Sequence, residues 1–168
     1  MMTMADVNAL EDGAFVETFR GLYEHSPWIV EAASALRPFD NEEAMLAAFK
    51  TVIADAGYEA QLGLLQAHPE LAGKAAIDGT LTPESASEQS SAGLDCLTPD
   101  EYAEFHQLND AYRAHFGFPF LICVRLANKA GILDAMRERL GNTVELEFET
   151  ALSEIDKIVR LRLKEILA

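Results

Sequence analysis

His68, the neighbouring pair Glu88 and Gln89, Arg125, and the run Gly117-Phe118-Pro119-Phe120-Leu121-Ile122 are the residues whose types and spacing could do chemistry. An unperturbed imidazole titrates closest to neutral pH, so His68 suits proton transfer. A carboxylate such as Glu88 can orient or share that proton. A guanidinium holds a small anion through charge-assisted hydrogen bonds. A run broken by glycine and proline can turn backbone amides toward a ligand. Each also has a plainer reading. His68-Pro69 is a helix stop, because a residue before proline is pushed out of the α region. On that segment alone the stop is the better reading. Glu88 and Gln89 are polar residues on a helix, Phe118 and Phe120 suit a core, and Arg125 suits a structural ion pair.

Other features point nowhere. His25, His106 and His115 have no partner at metal-ligand spacing. Cys96 and Cys123 form no zinc pattern and are expected as free thiols in a reducing compartment. Ser90 and Ser91 lack a nucleophile elbow. Gly57, Gly63 and Gly73 make no phosphate loop. Trp28 reads as a core anchor, and the acidic stretch 145–154 as a solvated helix face.

The elements that must position the four groups are helices. Phe15, Phe19, Leu22 and Tyr23 recur at helical spacing. Ser26-Pro27 reads as an N-cap and first helical residue, opening a helix over 28–36. Asp40 and Glu43 read as a capping box for a helix that stops at Gly57. A helix over 58–67 leads into His68. Thr82-Pro83 opens a helix carrying Glu88 and Gln89. Thr98 and Glu101 have capping-box spacing, and their helix runs to Phe116 and stops at Gly117. Periodicity cannot separate strand from buried helix at 121–124; helices on both sides favour helix from Leu121, with irregular backbone from Gly117 to Phe120. Helices over 132–140 and 143–167 complete an all-α domain of about eight to ten helices, with no repeat or linker dividing 1–168.

Composition narrows the function. The chain has 168 residues, 49% of them hydrophobic, enough for a core without disulfides. A net charge of −15 argues against nucleic acid and against an anionic membrane surface. No apolar run of spanning length and no leader or peroxisomal tripeptide is apparent, which gives a cytoplasmic expectation. A small anionic substrate needs a locally positive pocket.

As a set, these segments are familiar. His68-Pro69-Glu70-Leu71-Ala72-Gly73, then Ser85-Ala86-Ser87-Glu88-Gln89 with Ala92-Gly93-Leu94, then Leu108-Asn109, then Phe116-Gly117-Phe118-Pro119-Phe120-Leu121-Ile122 with Arg125 resemble the OHCU decarboxylase family. OHCU is 2-oxo-4-hydroxy-4-carboxy-5-ureidoimidazoline, an intermediate of urate breakdown. The likeness extends to Ser26-Pro27-Trp28 and Arg160-Leu161. It implies an all-helical decarboxylase that needs no cofactor or metal, works as a homodimer and yields (S)-allantoin. By match to the family motifs, His68 carries the catalytic imidazole and Glu88 is its companion. Ser85 and Gln89 hold polar atoms of the substrate. Pro69 and the backbone of Phe118, Phe120, Leu121 and Ile122 line it, and Arg125 faces it. Glu70 stands where aspartate is commoner and His115 where lysine is; neither is assigned to catalysis. The competing expectations are a lyase or hydrolase on a related ureido compound, and a helical binding protein without activity.

Overall fold

A computed structural model describes residues 1–167, which form ten α-helices and two 3-10 turns. Among the described residues the sole β pairing is one bridge between Met2 and Leu167. The all-α expectation therefore holds. Contacts group into two compact units, His68–Ile155 and Met1–Ala67 with the chain from Asp156 onward.

The first unit contains α1 (Met4–Ala9), α2 (Asp12–Phe19), α3 (Trp28–Ser34), α4 (Glu42–Ala56) and α5 (Tyr58–Gln66). Its core collects Phe15, Phe19, Tyr23, Met45, Phe49 and Leu64, all buried. Arg162 is buried here too. It donates to Glu24 Oε1 at 2.9 Å and to the Gly21 carbonyl at 3.0 Å. Two start signals resolve differently from expectation. Asn41, not Asp40, caps α4: its side chain accepts from Ala44 N at 2.9 Å. Asn8 pairs with both backbone groups of Phe39, and the buried Phe39 ring leaves Asp40 outside. Ser26 does not cap α3; its hydroxyl donates to the Glu24 carbonyl, and Pro27 occupies the cap position. Trp28 is only half-buried.

The second unit contains α6 (Lys74–Asp78), α7 (Pro83–Ser91), α8 (Pro99–Phe116), α9 (Lys129–Arg139) and the first half of α10 (Val144–Ile166). Thr82 caps α7 by accepting from Ser85 N. Thr98 and Glu101 form the expected capping box of α8. Gly117 ends α8 at φ +81, a left-handed conformation natural to glycine. The helices α1 and α6 are additional to those read from the sequence.

Two further expectations fail. Residues 121–123 are not helical: the chain is irregular from 117 to 123, and only Val124–Leu126 make a 3-10 turn. Phe118 and Phe120 both pack edge-on against the Tyr112 ring. Side chains two apart share a side in extended backbone and not in a helix, so the burial of both rings fits the irregular backbone expected over 117–120. Beyond it, Arg139 takes the Leu121 carbonyl that a helix would bond within itself. The acidic stretch 145–154 is not uniformly solvated either, because Glu147 is fully buried at 0% exposure.

Replacing Thr98 with Ala removes one half of the α8 capping box. It should cost about 0.5–2 kcal/mol of stability, read as a lower urea midpoint; an unmoved midpoint would show that the cap contributes nothing.

Candidate active site

His68 opens the second unit directly after α5 has ended. It is 7% exposed, and the chain from 69 to 73 runs without helix. Buried irregular backbone must find hydrogen-bond partners outside the helical ladder, and side chains of α7 and α8 supply them. Gln89 Oε1 accepts from Ala72 N at 3.0 Å, and its Nε2 donates to the Glu70 carbonyl at 3.3 Å. Asn109 Nδ2 donates to the Leu71 carbonyl at 2.8 Å. Arg113 forms an ion pair with the Glu70 side chain. Three consecutive residues of the loop are thereby fixed, with Ala72 held at φ +51.

The helix α7 turns Ser85, Glu88 and Gln89 to its buried face, as i, i+3 and i+4 positions must share one side. The same helix packs against the 3-10 turn Val124–Leu126, which carries Arg125 on its exposed side. Glu88 makes its charge felt across this contact. Burial raises the Cys123 thiol above its ordinary pKa, and the Glu154 and Glu88 carboxylates raise it further.

The segment 118–122 is placed by a different set. Phe118 and Phe120 are buried in an aromatic cluster with Tyr112 and Phe116. Their rings are core, so any lining they provide comes from backbone. Leu121 is buried and Ile122 half-buried. The amides of Phe120, Leu121 and Ile122 donate to no group of the described residues. The Leu121 carbonyl accepts from Arg139 Nη1 at 2.7 Å. Arg139 in turn donates to Glu147 through Nε at 3.0 Å and Nη2 at 2.8 Å, and its guanidinium lies 4.3 Å from the centre of the Phe120 ring. Tyr112 and Asn142 also donate to Glu147.

These placements bring three of the anticipated groups onto one scaffold. α7 carries Ser85, Glu88 and Gln89, touches the His68 loop through Gln89, and packs on the Arg125 turn. α8 ties the same loop through Asn109 and Arg113, and the 118–122 segment through Tyr112. Pro69 is half-buried within the loop. Arg125 is exposed rather than recessed. Gln89 differs from expectation in having both ends of its amide engaged by the loop, with one hydrogen and one lone pair left for anything else. Asn109, Tyr112, Arg139 and Glu147 were not anticipated as supports. A cleft of about 630 Å³ lies behind α7, lined by Ala72, Gln89, Leu94, Asp95 and Tyr102 among others. Of the anticipated residues only Gln89 reaches it. Among the described residues no group of three or more His, Cys, Asp or Glu side chains could hold a metal ion.

A buried histidine on a tethered loop, with a buried carboxylate on one of the tethering helices, suits acid–base chemistry on a small molecule. A family model described as OHCU decarboxylase matches residues 8–164, and the chain belongs to that family. It is 42% identical over 164 residues to the 2-oxo-4-hydroxy-4-carboxy-5-ureidoimidazoline decarboxylase of Haloferax volcanii, covering 98% of this chain and 95% of that one. It superposes on a crystal structure of (S)-allantoin synthase with a TM-score of 0.79 at 29% identity, over 99% of this chain and 54% of the other. It also superposes on OHCU decarboxylase crystallised in the presence of (S)-allantoin, with a TM-score of 0.71 at 26% identity, over 94% and 98% of the two chains.

Glu147 gives this region a pH dependence. Burial alone would raise its carboxyl, but hydrogen bonds from Arg139, Tyr112 and Asn142 outweigh burial and bring it below the ordinary value of 4.5. A depressed carboxyl stabilises the fold above its unfolded pKa and loses that contribution as pH falls through the folded one. Acid unfolding of the wild type should therefore steepen below about pH 4.5. Glu147→Gln should flatten that slope and cost about 3–5 kcal/mol at neutral pH, since it leaves a buried guanidinium without its counter-charge. Equal slopes in the two proteins would remove Glu147 from the acid transition.

Proposed function

We propose that this protein decarboxylates 2-oxo-4-hydroxy-4-carboxy-5-ureidoimidazoline to (S)-allantoin in urate degradation, with His68 as the acid–base group and Glu88 as its companion. The observation that carries the activity is the family match over nearly the whole chain, with a decarboxylase relative at 42% identity. The residue roles rest on the motif resemblance and on the burial of His68 and Glu88 in the second unit.

The substrate explains why no cofactor is required. Its carboxylate sits on a hydroxyl-bearing carbon next to a ring C=N bond. As the carbon–carbon bond to the carboxylate breaks, its electron pair forms a C=C bond to the ureido-bearing carbon. The C=N pair moves onto nitrogen, which takes up a proton, and carbon dioxide leaves. The hydroxyl proton is then lost as the carbonyl forms, and a proton is added to the ureido-bearing carbon. The ring supplies its own electron sink. What remains for the protein is to hold an anion, fix the ring face and deliver a proton to one side.

His68 collects the hydroxyl proton and returns one to carbon from a single face. Glu88 orients the reacting group. Ser85, the remaining capacity of Gln89, and the amides of Phe120, Leu121 and Ile122 meet the ring and ureido polar atoms. Pro69 borders the substrate beside His68. Arg125 draws the carboxylate toward an otherwise acidic chain. The substrate is a small anion, and the protein acts as a cytoplasmic homodimer by resemblance to the family. The net charge of −15 disfavours nucleic acid, and none of the described helices is long and apolar enough to cross a membrane.

The intermediate decays unaided to racemic product, so handedness is the signal to follow. With intermediate generated freshly from urate, the wild type should produce optical rotation. His68→Gln should fold normally and turn over roughly 100- to 10,000-fold more slowly; near-full activity would remove His68 from the mechanism. Arg125→Ala should mainly raise KM, and an unchanged KM would end the anion-clamp role.

A further inference from the structure

The buried ion pair of Arg139 and Glu147 is the largest investment of charge in the second unit that the mechanism does not use. Both side chains are buried, Glu147 completely. A buried pair gains little net stability over well-packed apolar residues, so its geometry is the informative feature. Glu147 is saturated: it accepts from Arg139, Tyr112 and Asn142. That fixes the guanidinium in one plane and leaves Nη1 to act elsewhere. Nη1 donates to the Leu121 carbonyl, and the same guanidinium rests on the Phe120 ring. Both contacts fall on adjacent residues of a stretch that has no helical or strand partners of its own.

The consequence follows from peptide geometry. The Leu121–Ile122 bond is trans, the one cis bond among the described residues being Arg37–Pro38. In a planar trans peptide the C=O and the N–H of the same unit point in opposite directions. Holding the Leu121 oxygen on Arg139 therefore aims the Ile122 N–H directly away from the guanidinium. That N–H donates to no group of the described residues. A cation on the carbonyl also polarises the peptide, which strengthens the N–H as a donor.

We infer that Arg139, locked by Glu147, is a positioning residue that sets the Ile122 amide as the hydrogen-bond donor to an oxygen of the substrate. The inference rests on the reading of 118–122 as substrate lining. It adds a cause: a charge network outside the site fixes the direction of a backbone donor within it. Glu147 and Tyr112 act through Arg139 and touch no substrate.

The test titrates the full-length protein with (S)-allantoin and follows backbone amides by two-dimensional NMR, alongside kcat and KM. In the wild type the Ile122 amide should shift downfield on binding. Arg139→Lys keeps the charge but cannot bond Glu147 through two nitrogens and Leu121 with a third. It should weaken allantoin binding and kcat/KM at least tenfold and abolish the Ile122 shift. Should that variant fail to fold, Arg139→Met combined with Glu147→Gln removes both charges together and leaves Tyr112 an acceptor. It should show the same losses. A folded variant of either kind with unchanged allantoin affinity and kcat/KM overturns the inference while leaving the lining intact. A wild-type Ile122 amide that ignores allantoin overturns the inference together with the assignment of that segment to the substrate.

Discussion

Buried backbone outside regular structure sets the terms for the second unit. Helices satisfy their own amides and carbonyls, whereas residues 69–73 and 117–123 have no such ladder. Each carbonyl left without a partner in the interior would cost about 1–3 kcal/mol. Polar side chains on the flanking helices meet that demand. Gln89 and Asn109 serve the first stretch, and Arg139 serves the second. Since such bonds are directional, each stretch is held in one conformation. The acid–base role proposed for His68 needs that constraint, because a small displacement would remove the imidazole from reach of the proton it transfers.

α8 is the common support. Asn109, Tyr112, Arg113 and Phe116 fall at i, i+3, i+4 and i+7, one stripe of the helix. From that stripe Asn109 and Arg113 reach the His68 loop, while Tyr112 and Phe116 meet the aromatic pair of the other stretch. The capping box at Thr98 and the left-handed Gly117 determine where the stripe begins and ends. An acidic chain can thus present local positive charge and backbone donors while its surface remains strongly negative.

The helices were legible because their punctuation is local. Threonine–proline at 82–83 and 98–99, and glycine at 57 and 117, mark starts and stops that need only neighbouring residues. His68, Glu88 and the 117–122 run stood out as candidates through motif types. The supports did not. Asn109 meets Leu71 across 38 positions, and Tyr112 meets Glu147 across 35. No local pattern encodes such pairings, so Glu147 resembles any other acid of a solvated face. The helical reading of 121–124 failed for a related reason. The Leu121 carbonyl is taken by Arg139, 18 positions further on, a partner that sequence spacing does not reveal. The cap at Asp40 gave way to Asn41 because Asn8, far back in the chain, captures Phe39.

The most direct measurement is a crystal structure of this protein with (S)-allantoin bound. The product should lie within hydrogen-bond distance of the His68 imidazole and of at least one amide of Phe120, Leu121 or Ile122, with the loop and Arg139 contacts unchanged. Product ordered instead in the cleft lined by Ala72, Leu94 and Tyr102, out of reach of His68, would contradict that placement.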